Sequence, residues 1–109
     1  MLPPTLLETV RVKGDKYIVP DDATKRDIGR SGKDKVIGSY KLCVDVNGDV
    51  ASVKMLKSTG FPGYDFKIVD EMKQWGYRPY MINGAAVPVC TAVTFIYTQS
   101  QPAPPPASP

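Results

Sequence analysis

Residues 36–57 read VIGSYKLCVDVNGDVASVKMLK, and the fold follows from this stretch. Tyr40, Leu42, Val44 and Val46 alternate with Lys41, Cys43 and Asp45, the period-two pattern of a strand with one buried face. Asn47-Gly48-Asp49 interrupts the pattern with residues that tolerate positive φ, a hairpin signal. Val50, Val53, Met55 and Leu56 continue as a second strand whose apolar spacing slips by one, as at a bulge. Ser58-Thr59-Gly60 ends it.

Working outward, the period changes over 63–75. Tyr64, Ile68, Met72 and Trp75 fall on one helical stripe, while Lys67, Asp70, Lys73 and Gln74 fill the other side. Asp65 in the first turn suits the helix dipole. Gly76 is expected to stop the helix, and Pro79 to prevent its return. Asn83-Gly84 then joins a short strand at 77–82 to a long one at 87–98. In the long strand Val89, Val93, Phe95 and Tyr97 take one face, and Cys90, Ala92, Thr94 and Ile96 the other. On the N-terminal side, Asp21 or Asp22 caps a brief helix over 23–29 from which Ala23 and Ile28 face the core. A short strand is expected near 16–19. The chain thus divides into an arm (1–20), a domain (21–98) and a Pro-rich linker or tail (99–109).

The expected fold class is α+β: an antiparallel three-stranded sheet with one helix on one face, in a β-β-α-β path, preceded by a short N-terminal helix. The last strand lies beside the first, giving sheet order 2-1-3. In that order Cys43 and Cys90 share the face away from the helix, on neighbouring strands. They are either two small buried residues or a disulfide, depending on register. A disulfide would imply an oxidising compartment.

The remaining composition narrows the function. The 109 residues make one domain, with net charge +3 and 14 basic residues interspersed with 11 acids, a solvated surface rather than a nucleic-acid footprint. The absence of histidine removes the commonest general base and metal ligand. The scattered acids show no paired-acid or calcium-loop spacing, so no catalytic residue, metal or cofactor is expected. Met1–Leu7 is apolar, but Pro3 and Pro4 interrupt it and no basic segment precedes it, which argues against a signal peptide. No stretch approaches the ~20 apolar residues of a transmembrane helix.

The segment from Gly38 to Thr98 resembles the C-terminal domain of the energy transducer TonB. Gly38–Asp45 is similar to that family's first strand, Asn47-Gly48-Asp49-Val50 to its D-G-x-V turn, and Val53–Gly60 to its second strand and Ser/Gly ending. Tyr64, Asp65, Ile68 and Met72 follow its helix pattern, and Trp75-Gly76-Tyr77-Arg78-Pro79 its W-x-[YF]-x-P signature. Val87–Tyr97 resembles the last strand, and Pro20 with Ala23 the region preceding the domain. The departures are Gly76 in place of a basic residue, the two cysteines, and the Pro-rich tail.

The resemblance implies a non-enzymatic periplasmic binding module on a chain anchored in the inner membrane. It implies two partners: an extended segment of an outer-membrane or periplasmic protein, gripped by strand addition, and an inner-membrane motor complex reached through the rest of the chain. Transport, motility or secretion would all use such a module. The expected partner-binding edge is the last strand: Thr91, Ala92, Val93, Thr94, Phe95, Ile96, Tyr97 and Thr98. Tyr77, Arg78 and Tyr80 are the surface candidates, since an Arg among tyrosines is typical of binding patches, whereas Trp75 is expected in the core. The alternative is a structural or self-associating domain, in which the arm or a homodimer mate covers that edge.

Overall fold

The computed structural model describes residues 2–99; the Pro-rich stretch beyond lies outside them. In chain order the elements are α1 (Pro4–Glu8), β1 (Arg11–Lys13), α2 (Asp22–Ser31), β2 (Lys35–Val44), β3 (Val50–Lys57), α3 (Pro62–Met72), β4 (Gly76–Tyr77), β5 (Met81–Ile82), β6 (Ala85–Ala86) and β7 (Val89–Thr98). The main sheet is antiparallel in the order β3-β2-β7, the expected 2-1-3 arrangement, with α3 on one face.

Alternation in β2 is complete: Val36, Gly38, Tyr40, Leu42 and Val44 are buried, and the residues between them face away. The slip in β3 is real. Leu56 stands between the pairs Ser39–Lys57 and Tyr40–Met55, and Ala51 between Cys43–Ser52 and Val44–Val50, so β3 carries two extra residues. Gly48 turns the hairpin at φ 85°, and its carbonyl accepts the Tyr77 N–H at 2.8 Å. A Cβ at Gly48 would overlap the Tyr77 carbonyl, so glycine is required by space as well as by backbone sign.

The core joins the predicted α3 stripe to the sheet. Tyr64, Ile68, Met72 and Trp75 are buried against Tyr40, Leu42, Val93 and Phe95, with Tyr40 and Trp75 both packed on the Phe95 ring. Each such side chain, fully buried, contributes roughly 1.5–3 kcal/mol. Asp65 does more than face the dipole. It accepts hydrogen bonds from the Tyr40 hydroxyl (2.8 Å), the Thr59 N–H (2.9 Å), the Thr59 hydroxyl (2.7 Å) and the Ser58 hydroxyl. Burial alone would raise its pKa, but these donors outweigh that effect and hold the carboxyl below its usual range.

Several sequence expectations are corrected. The helix ends at Met72, three residues before Trp75, and Gly76 sits in β4, where it pairs with Lys13. The strand in the arm is Arg11–Lys13 instead of 16–19, because its partner is that β4 segment, distant in sequence. The strand expected at 77–82 is two separate pieces, β4 and β5; among the described residues β5 pairs with β6 alone, around Asn83-Gly84. In α2, capped by the Asp21 side chain on the Thr24 N–H, Thr24 and Ile28 are buried and Ala23 is exposed. Within the arm, Leu7 and Ile18 are buried in the same core, and Pro20 is buried as well.

Cys43 and Cys90 form a disulfide across β2 and β7, with Cα atoms 4.0 Å apart, on the face away from α3. Such a bond points to an oxidising, non-cytoplasmic compartment. Among the described residues no helix is long and apolar enough to cross a membrane.

Candidate partner-binding edge

The register of β7 on β2 decides which backbone groups are free. Directly opposed residues in an antiparallel pair alternate between about 5.5 Å (hydrogen-bonded) and about 4.5 Å (not hydrogen-bonded). The short Cys43–Cys90 spacing marks that pair as the second kind. It follows that Val93, Phe95 and Tyr97 direct their N–H and C=O groups at β2, and Cys90, Ala92, Thr94, Ile96 and Thr98 direct theirs outward. The Leu2 N–H bonds the Cys90 carbonyl at 2.8 Å, on the side this parity requires.

That contact also shows where the edge is closed. Leu2 bridges to Thr91 in parallel fashion, and the Thr91 hydroxyl donates to the Leu2 carbonyl at 2.7 Å. Thr91 is buried. The first two of the eight expected edge residues, Thr91 and Ala92, therefore lie against the chain's own N-terminal segment. Beyond them no described backbone group bonds to the outward side of Thr94, Ile96 or Thr98.

The open part faces a groove of ≈ 470 Å³ whose opposite wall is the arm, chiefly Asp15–Val19, with Tyr64 and residues 94–97 completing it. The arm thus lies across the groove from residues 94–97, whereas the alternative expected from the sequence had it cover the edge. Three features hold this wall in place. Gly14, at φ 103°, lies so close to the Trp75 indole that a Cβ would collide with it. Asp15 accepts the Tyr17 N–H at 2.8 Å. The Tyr64 hydroxyl, pushed up to about 12 in pKa by burial and the neighbouring Tyr97 and Tyr17, donates to the Ile18 carbonyl at 2.7 Å. Ile18 is thereby buried, while Tyr17 stands 80% exposed at the groove. Glu8 and Asp15 are balanced there by Arg11 and Lys16, so the groove has no single charge sign.

The other candidates are placed elsewhere. Tyr77, expected at the surface, is buried with only 5% exposure. β4 turns it inward, and its burial raises its hydroxyl pKa against the opposing influence of Arg11. Arg78 is exposed and Tyr80 half-buried, but neither lines the groove. Arg11 instead stacks on Trp75, 4.8 Å from the ring centroid. Among the described residues no cluster of three or more His, Cys, Asp or Glu is placed to hold a metal ion. No protein-family model matches the chain, and no curated protein matches its sequence.

Proposed function

We propose that this chain is a periplasmic protein-binding module of the TonB C-terminal kind, which receives an extended partner segment along the outer edge of β7. One observation carries the reading: the outward N–H and C=O groups of Thr94, Ile96 and Thr98 have no described backbone partner, and residues 94–97 of this edge line the groove that faces the arm. A guest backbone about 4.8 Å from β7 would satisfy those groups and lie between the edge and the arm. Recognition then rests mostly on backbone, with Tyr17 and Tyr97 offering aromatic surface to alternate side chains. The disulfide supports a compartment outside the cytoplasm; the periplasm and an inner-membrane anchor come from the sequence resemblance. Coupling to an inner-membrane motor belongs to the same proposal, because a strand gripped along an edge transmits tension through many parallel hydrogen bonds.

The substitution that tests it is Ile96→Pro. The Ile96 N–H points away from β2, so proline there removes no ladder bond, whereas Phe95→Pro would break one. Calorimetric titration with a panel of extended outer-membrane protein segments should show at least a tenfold loss of affinity for Ile96→Pro. Its circular dichroism should match the parent. Undiminished binding by a folded Ile96→Pro variant would remove the edge as the docking site.

A further inference from the structure

Among the described residues, the face of the sheet opposite α3 is half-buried to exposed along its length, and its charged side chains within the strands are of one sign. Its positions follow from the register: Lys35, Ile37, Ser39, Lys41 and Cys43 on β2, the cross-strand partners Lys57, Lys54 and Ser52 on β3, and the even-numbered residues 90–98 on β7. Four lysines stand on this face and no Asp or Glu does within the three strands. Two acids flank β2 just outside its ends: Asp34 precedes Lys35, and Asp45, which lines a pocket with Lys41, accepts the N–H groups of Asn47 and Asp49 at its Oδ1 in its own turn. Lys35, Lys41, Lys54 and Lys57 take part in no ion pair among the described residues.

Lys41 and Lys54 are directly opposed across β2 and β3. Directly opposed side chains sit with Cβ atoms about 5 Å apart, and like charges there are unfavourable. A sheet that carries this repulsion on an open face, with its acids placed elsewhere, is complementary to an anionic ligand. The strip is about 10 Å across and about 27 Å long, from strand spacing and rise. One side of it is basic, along β2 and β3, and the other is hydroxylic and aliphatic, with Thr94, Thr98 and Ile96 on β7. That narrow, two-sided character suits a single polypeptide better than a bilayer plane.

We propose that this face is a second docking surface, taking an acidic polypeptide segment whose carboxylates lie over Lys41, Lys54 and Lys57. It is distinct from the β7 edge and does not depend on strand addition: the edge offers backbone groups in the plane of the sheet, the face offers side chains perpendicular to it.

The probe is a peptide of about 12 alternating Glu and Ser residues, long enough at ~3.3 Å per residue to span the strip. It is titrated at low ionic strength, with a Gln-for-Glu control and phosphatidylglycerol vesicles as separate arms. The Glu peptide should shift the amides of 35–41 and 52–57, the control should not, and added salt should weaken binding. Lys41→Glu should weaken it roughly tenfold, yet leave the melting temperature level or higher, because the introduced carboxylate would face Lys54 across the strands. Lys54→Ala, at an exposed position, gives the same readout should Lys41→Glu fail to fold. Equal binding of both peptides, unchanged affinity in a folded variant, shifts confined to other regions, or binding to vesicles alone would each overturn the proposal.

Discussion

Replacing Cys43 and Cys90 together by serine is expected to lower the free energy of unfolding by about 4 kcal/mol, the value the loop-entropy model gives for a link across 47 residues. Small domains are stable by only about 5–15 kcal/mol, so the double variant should approach the threshold of unfolding at body temperature. The bond joins β2 to β7, the strands that bury Val36, Tyr40, Leu42, Val44, Val93 and Phe95, at the end where Leu2 closes the edge. Without it, the denatured chain gains freedom while the native ladder keeps its hydrogen bonds. Urea denaturation of the oxidised parent and the double-serine variant measures the difference directly. A loss below about 1 kcal/mol would mean that the sheet is held by its packing and the cross-link adds little.

The second large effect is expected at Asp65. Asp65→Ala leaves the fully buried Tyr40 hydroxyl and the buried Thr59 hydroxyl without their carboxylate acceptor, and it frees the Ser58–Gly60 turn from α3. Charge-assisted hydrogen bonds contribute about 1.5–3 kcal/mol, and orphaned buried donors cost a similar amount, so a loss of about 3 kcal/mol is expected. Asp65→Asn retains one acceptor oxygen and should fall between parent and alanine. The pH dependence has a definite sign. The folded pKa lies below the ordinary value of 3.8, so this contribution is present above that value and is lost as acid protonates the folded carboxylate. Parent stability should therefore fall more steeply than that of Asp65→Ala as the pH drops through and below the ordinary carboxylate value of 3.8. Parallel curves would assign acid sensitivity to other carboxylates.

Local patterns were sufficient for much of this structure. Strict alternation from Val36 to Val44, the one-residue slip near Met55 and Leu56, and the stripe Tyr64, Ile68, Met72, Trp75 each report a single element's burial, which neighbours in sequence encode. Strand parity and sheet order placed Cys43 and Cys90 on one face of neighbouring strands, and the register that pairs them directly decides for the disulfide. The failures lie where the partner is remote. The five-residue helix α1, which no pattern in the sequence announced, begins at Pro4, where proline in the first turn costs no hydrogen bond, and Leu7 on it is buried in the core formed by distant strands. Tyr77 looked like part of a surface patch because nothing nearby in sequence reveals that β4 pairs with β1 and turns it inward. The edge of the candidate site was legible from topology, but its closed end at Leu2 and its far wall at Asp15–Val19 were not. Those depend on contacts spanning 89 and 46 residues, Thr91 to Leu2 and Tyr64 to Ile18.

Amide hydrogen exchange, residue by residue along β7, addresses the binding edge without any substitution. In the free protein Val93, Phe95 and Tyr97 should exchange slowly and Thr94, Ile96 and Thr98 rapidly; a bound partner segment should slow the second set to match the first. Protection of all six amides in the free protein, or rapid exchange at Thr94 and Ile96 with the segment bound, would contradict strand addition at this edge.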